Sequence, residues 1–293
     1  MKLLEPPGEL TEGQRNVLRY ILEEPEESAF LPASEIARRV GVSEATVIRL
    51  AQALGFKGFP ELKGQLRAML RERISTVMRL EAVSDRPGDE GEILLRVFGK
   101  DMDNLSRTVG ELPVETFRKA VQIIRMAERI FVIGLRSAHS LAVFLFTALR
   151  YIGKEVLLVQ PGHGELWDYP ARWRKRDVLV AISFPRYSRD TVEVARCARK
   201  RGLRCIAVTD SPLSPVARVS DVVLVARCEM DSYMESFTAP LSLLNALVTA
   251  VSIADREKAL RALRKLEAIW RERDIYLQKE EKSGRVLGDH FQP

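Results

Sequence analysis

The nine residues Ser183–Thr191, SFPRYSRDT, crowd three hydroxyl side chains and two arginines into one short segment. They follow an apolar run, DVLVAI (Asp177–Ile182), and precede an amphipathic one, VEVARCARK (Val192–Lys200). That order predicts a strand, a loop and a helix. A loop entering a helix N-terminus points free backbone N–H groups at whatever occupies it, and the helix dipole favours negative charge there. Ser183, Ser188 and Thr191 can donate hydroxyls, Tyr187 stands among them, and Arg186 and Arg189 can grip phosphate or carboxylate bidentately. The chemistry expected is capture of an anion. The competing reading is a solvated turn whose arginines pair with Asp190 or Glu193.

A second such loop is GLRSAHS (Gly134–Ser140), after the apolar run RIFVIG (Arg129–Gly134). Gly134 allows a tight turn, and Ser137 with the following N–H groups can bind phosphate, with Arg136 beside them. His163, in the glycine-flanked PGHGE, is a further candidate contact. Asp210 and Ser211 in TDSPLSP can reach a ligand, but ordinary turn chemistry explains them first. Moving a proton next to a carbonyl would need a poised base. His139, His163, Glu165, Glu229 and Glu235 lie near loops or helix starts, yet their spacing forms no acid–base pair. There is no metal-type cluster, phosphate-binding Walker loop or nucleophile elbow, so no catalytic residue, metal or cofactor is expected.

These loops need a scaffold. RIFVIG, EVLLVQ (Glu155–Gln160), DVLVAI, LRCIAVT (Leu203–Thr209) and DVVLVA (Asp221–Ala226) are apolar at consecutive positions, which suits strands covered on both faces. Helical runs alternate with them, so a five-stranded parallel doubly wound sheet is expected, with ligands at the strands' carboxyl ends. Phe237–Ala254 is uncharged and near membrane-spanning length, but Pro240, Asn245 and its hydroxyls favour a buried core or dimer helix. From Asp255 a charge-laced helix can pack Leu260, Leu263, Ile269 and Trp270 on the body or a second subunit.

The N-terminal region is helical by pattern, with no strand-like run. ASEIARRVGVSEATVIRLAQALGFKGFPELK (Ala33–Lys63) reads as two helices and a tight turn. Ser34 can cap the first helix and Ser43 the second. Ala37 is small where the helices cross, and Gly41 permits a positive φ in the turn. Ile36, Val40, Val42, Val47, Leu50 and Leu54 supply the inner face, with Val17, Leu18, Ile21 and Leu22 on a supporting helix. With that face inward, Ala45, Arg49 and Gln52 point outward, flanked by Thr46 and Ile48. Arg and Gln can reach base edges in a major groove, and Ala can meet a thymine methyl. Basic residues outnumber acidic ones from Ala33 to Leu80, whereas residues 1–32 are acidic. Lys57, Lys63, Arg67, Arg71 and Arg73 follow, and some of these groups are expected to position the helix on phosphates; Ser34, Arg38, Ser43 and Lys57 join the candidate DNA-binding set.

The stretch SEATVIRLAQALGFKGFPELK (Ser43–Lys63) resembles the RpiR family of bacterial transcriptional regulators, matching its S-x-A-T-V-x-R…L-G-F-x-G-F-x-E-L-K pattern. The resemblance implies a helix-turn-helix joined to a sugar-isomerase-type (SIS) domain that binds phosphosugars. SIS loops commonly read G-x-G-x-S and S-x-S-G-x-T. Here Arg136 replaces a glycine of the first. In the second, Pro185-Arg186-Tyr187 is inserted and Arg189 stands for glycine, which puts the usual sugar phosphate in doubt while keeping an anion.

With 293 residues the chain has room for two domains, and a net charge of +6 permits an acidic partner. Three cysteines without metal spacing suit a reducing cytoplasm, and MKLLEPPGEL lacks the apolar core of a signal peptide. The expected organisation is α + α/β: residues 1–80 a helix-turn-helix domain, 81–115 linker and connecting helix, 116–275 the SIS-type sheet domain, 276–293 a tail. The expected function is a cytoplasmic, homodimeric or higher-order regulator binding a double-stranded DNA operator, with no membrane association, and sensing a small anionic metabolite. The alternatives are a phosphosugar isomerase with an appended helical domain, and a nucleoid-associated scaffold.

Overall fold

A computed structural model describes residues 10–64, 66, 75–84, 88–160, 162 and 165–277. The first layer is all helical: α1 (Glu12–Glu23), the short α2 (Pro25–Ser28), α3 (Ala33–Val40), α4 (Glu44–Ala53) and a helical segment at residues 59–64. Thr11 opens α1 with a reciprocal capping box: its hydroxyl accepts from Gln14 N–H while the Gln14 side chain accepts from Thr11 N–H. Val17, Ile21, Ile36, Val47, Leu50 and Leu62 form the buried centre of this layer. Leu18, Val40, Val42 and Leu54 pack at its edge, but Leu22 is exposed. The expected cap at Ser34 is not made. Pro32 takes the N-cap position of α3 with no side-chain bond, and Ser34 lies inside the first turn, exposed.

Two helices connect this layer to the sheet, α5 (Thr76–Ser84) and α6 (Glu90–Glu111), and α7 (Val114–Met126) leads into β1 (Ile130–Gly134). The sheet continues through α8 (His139–Tyr151), β2 (Val156–Val159), the short α9 (Tyr169–Arg172), β3 (Val178–Ile182), α10 (Arg189–Lys200), β4 (Arg204–Thr209) and β5 (Val222–Val225). Helices α11 (Thr238–Ala254) and α12 (Arg256–Glu272) complete the body.

All five expected strands form, parallel, in the order β2-β1-β3-β4-β5. β1 and β3 are buried at every position, which explains their unbroken apolar runs. The two faces make separate cores. Ile130, Val132, Val180 and Ile182 pack with α7, α8 and α11 on one side; Phe131, Ile133, Leu179 and Ala181 pack with α10 on the other. The chain thus winds away from the β1–β3 boundary in both directions, leaving a crevice where the loops after β1 and β3 part.

The apolar run from Phe237 is a core helix on one face, burying Leu243, Leu244, Leu247 and Val251. Among the described residues no single helix is long and apolar enough to cross a membrane. On α12 Trp270 packs edge-on against Tyr151, Leu260 and Leu263 are half-buried, and Ile269 stays exposed.

Candidate nucleic-acid interface and candidate anion site

The turn between α3 and α4 depends on Gly41, whose φ of 76° lies in the left-handed region that a side chain disfavours. That conformation lets Val42 N–H reach the Ala37 carbonyl at 2.9 Å and close the helix end. Ser43 caps α4: its Oγ accepts from Thr46 N–H at 3.3 Å and lies 2.9 Å from Thr46 Oγ1. Val47, Leu50 and Ala51 then face inward, while Ala45, Ile48, Arg49 and Gln52 are exposed and Thr46 is half-buried. Four of the eight candidate contacts thus share α4, with Ser43 at its start. Lys57 is exposed just beyond, where its backbone N–H donates to Glu61 Oε2 at 2.6 Å.

Arg38 is exposed on α3, with its Nε donating to Glu35 Oε2 at 2.8 Å. Arg39 turns the other way, to Glu27, to Glu35 and to the Tyr20 hydroxyl at 3.0 Å, fastening α3 to α1 and α2. Hydrogen bonds from Arg38 first and Arg39 second hold the Glu35 carboxyl down at about 2. Lys63 Nζ donates to the Phe30 carbonyl at 2.9 Å and so serves the fold. Arg67, Arg71 and Arg73 lie outside the described residues.

At the β1–β3 crevice the two hydroxyl-and-arginine loops meet. A cavity of about 490 Å³ is lined by Arg136 and Ser137 from the first and by Ser183, Arg186 and Ser188 from the second. Gly134 contributes by having no side chain. A Cβ there would stand 2.7 Å from the Ala138 carbonyl oxygen, so the turn into α8 could not close over it. His139 Nδ1 pairs with the Gly134 carbonyl at 3.1 Å and helps hold the same turn.

Arg136 and Arg186 both have positive φ, 56° and 65°. Left-handed backbone at a bulky residue is strained and persists only where surroundings impose it. Arg136 is the residue that replaces a family glycine, so the loop keeps a glycine's backbone with an arginine's charge. Phe184 is buried and packs on Phe237 at a centroid distance of 5.4 Å, which anchors the second loop to the start of α11.

The remaining candidates divide. The Tyr187 hydroxyl donates to Asp210 Oδ1 at 2.7 Å, and Tyr187 and Arg189 line a neighbouring hollow of about 390 Å³ with Glu193 and Pro215. Thr191 is fully buried, and its Oγ1 is one of three buried side-chain polar atoms among the described residues with no hydrogen-bond partner. His163 lies outside the described residues. Ser211 and Ser214 accept backbone N–H bonds from Leu213 and Ala217, as turn residues do.

One wall of the cavity had no sequence signal. Thr76 and Arg79 from α5, with Tyr233, Met234 and Glu235 from the segment before α11, complete the lining. Arg79 Nη1 donates to Glu235 Oε1 at 2.6 Å, and both side chains are almost wholly buried. These residues belong to no motif, and 156 positions separate the pair. Among the described lining residues Glu235 is the only carboxylate and Arg79, Arg136 and Arg186 are the cations, so the cavity favours an anion. Glu229, earlier in the same segment, faces α6, where it pairs with Lys100 and Arg107. Burial pushes its carboxyl up, but hydrogen bonds from Lys100 and Arg107 outweigh that and hold it at about 2.

Comparison with known proteins agrees with both halves. A family model described as a helix-turn-helix domain, rpiR family, matches residues 2–73, and one described as a SIS domain matches residues 123–250. The HTH-type transcriptional regulator HexR of Pseudomonas aeruginosa is 28% identical over 255 residues, 84% of this chain and 86% of its own. The sugar isomerase domain of an RpiR transcription factor from Sphaerobacter thermophilus superposes with a TM-score of 0.58 at 32% identity, covering 59% of this chain and 97% of its own. The Vibrio vulnificus NanR protein complexed with ManNAc-6P superposes with a TM-score of 0.58 at 22% identity, covering 90% of this chain and 94% of its own, a likeness of fold.

Proposed function

Because the chain belongs to the rpiR family of transcriptional regulators, with a helix-turn-helix joined to a SIS domain, we propose that it reads a double-stranded operator through α4 and senses a small anionic metabolite, of the phosphosugar class, in the 490 Å³ cavity. Arg49 and Gln52 are the base-reading side chains and Ala45 meets a thymine methyl. Ser34, Arg38, Ser43, Thr46 and Lys57 contact phosphates and set the helix in its groove. Two copies acting together would read half-sites spaced by whole helical turns.

The single observation behind the sensing half is the cavity's composition. Its floor is made by the two anion loops of the sheet; its wall is α5, the first labelled helix after the DNA-reading layer. Ser137, Ser183 and Ser188 donate to ligand oxygens, and Arg136 and Arg186 balance its charge. An anion entering here competes with Glu235 for Arg79, so occupancy and the position of α5 become one equilibrium. Ligand then shifts operator affinity, and operator shifts ligand affinity by the same factor. The NanR complex with ManNAc-6P supports a sugar phosphate as the ligand class. The described lining holds a single carboxylate, Glu235, and no histidine, so it offers no acid–base pair, which favours sensing over isomerisation.

The test is fluorescence anisotropy on genomic duplex fragments at low salt, with and without a panel of sugar phosphates. Saturable binding that one sugar phosphate changes by about fivefold or more supports the reading. Absence of duplex binding refutes the DNA half, and operator affinity indifferent to every sugar phosphate refutes the sensing half.

A further inference from the structure

A second cavity opens at the amino ends of the strands. It measures about 660 Å³ and lies between the C-terminal turns of α7 and the residues that enter β3 and β4. β3 separates it from the first cavity: Val178, at the start of the strand, lines this one, and Ser183, just past its end, lines the other. At about 3.3 Å per residue the two are roughly 17 Å apart. The rim is basic, with Lys119 from α7, Lys175 and Arg176 from the approach to β3, and Arg204 at the start of β4. The bed is apolar, with Ile123 and Val178 buried and Ala127 half-buried. Met126 and Gln122 are exposed beside it.

The fold accounts for some of these charges. Asp177 is the only carboxylate among the described lining residues, and it is buried. Its oxygens accept from Arg129 Nε at 3.1 Å, from Arg129 Nη2 at 2.6 Å and from Arg174 N–H at 2.7 Å. Arg176 pairs with Glu128 at 3.1 Å. Lys119, Lys175 and Arg204 are left with no hydrogen bond or ion pair among the described residues. One such side chain on a convex surface is simply solvated. Three around a single concavity repel one another and focus positive potential between its walls.

We infer that this cavity is a second ligand site and that it takes a nucleoside di- or triphosphate. Lys119, Lys175 and Arg204 match a polyphosphate of about three to four negative charges. Ile123, Ala127 and Val178 form the bed for a base, and Met126 can fold its flexible, polarizable side chain over the ring. Gln122 offers an amide donor and acceptor to the base edge. The volume is within the range of about 300–1,000 Å³ that small-molecule sites occupy. A bare inorganic anion would leave the apolar bed wet. Duplex DNA presents phosphates on a convex surface and keeps its bases stacked inside, so it has nothing to lay on the bed. The site lies at the far end of β3 from the anion loops, so both cavities can be filled together, and the inference stands apart from the sensing and operator readings.

The full chain is titrated calorimetrically at about 0.15 M salt without divalent cations, using ATP, ADP, AMP, adenosine and tripolyphosphate. ATP and ADP are expected to bind once per chain, about tenfold or more tighter than AMP and than tripolyphosphate, with adenosine weakest. K175E/R204E is expected to weaken ATP about a hundredfold or more with unchanged circular dichroism. A wild type indifferent to ATP and ADP overturns the inference, as does ATP affinity unchanged in K175E/R204E. Tripolyphosphate binding as tightly as ATP overturns it too, because no base would then be held. Duplex binding abolished by K175E/R204E in a chain that ignores ATP would assign the cleft to nucleic acid instead. Should K175E/R204E fail to fold, K119A/Q122A decides, since both of its positions are exposed on α7. It is expected to weaken ATP about tenfold, and an unchanged affinity overturns the inference.

Discussion

Replacing Arg186 separates what its backbone costs from what its side chain does. Its φ of 65° costs a non-glycine residue about 1–2 kcal/mol. Arg186→Gly removes that strain but adds unfolded-chain entropy worth about 0.4–1 kcal/mol. The expected net is a stabilisation of about 0.5–1 kcal/mol, or a Tm higher by roughly 1–4 °C for a protein of this size. Arg186→Ala keeps the strain and gains nothing. Both variants lose the guanidinium at the cavity, so both should lose most of the stabilisation that a cognate sugar phosphate confers, about 2.7 kcal/mol at a hundredfold excess over Kd. The assay is thermal and urea unfolding of wild type, Arg186→Gly and Arg186→Ala, each with and without the sugar phosphate. A glycine variant less stable than the alanine variant would refute the strain assignment. An undiminished ligand shift in both would remove Arg186 from the site.

Arg49→Ala should lower the preference for operator over scrambled duplex by about 1–3 kcal/mol, whereas Lys57→Ala should weaken both equally and reduce the salt slope by about one; competition binding at several salt concentrations distinguishes them. Glu229 carries the acid sensitivity of the α6 contact. Its carboxyl titrates at about 2 in the fold against 4.5 for the free group, so its contribution is intact above about pH 4.5 and is lost as pH falls toward 2. Urea midpoints between pH 6 and pH 3 should fall for wild type and fall less for Glu229→Gln; parallel curves would rule out this carboxylate.

β1 and β3 were legible because burial on both faces left each a continuous apolar run, and the half-buried edge strands β2 and β5 carry apolar runs too. The helix-turn-helix was legible because Gly41, Ser43 and Ala37 each answer a separate local demand of backbone or packing. Ser34 misled because a serine before an apolar run satisfies the capping rule, but Pro32, two residues earlier, already takes the cap position with its extended backbone. Five effector-loop residues line one cavity, whereas Tyr187 and Arg189, which alternate with Ser188 along the loop, line the next hollow, and Arg186 borders both. The Arg79–Glu235 wall was unreadable: ion pairs between distant segments leave no periodic trace. The helical spacing of α6 was plain, but periodicity reveals that a helix has an apolar side without saying which side the body takes, and Leu95, Phe98 and Met102 are exposed.

The strand order has an evolutionary corollary. The gap at the β1–β3 boundary comes from the direction in which the connections wind, so it exists whatever residues its rim bears. On the sensing function proposed above, exchanging Arg136, Arg186 or the serines would retune which metabolite is recognised without touching the hydrophobic lattice beneath. On that same proposal, a lineage built on this plan changes the signal it obeys in a few mutational steps while its helix-turn-helix layer stays as it was.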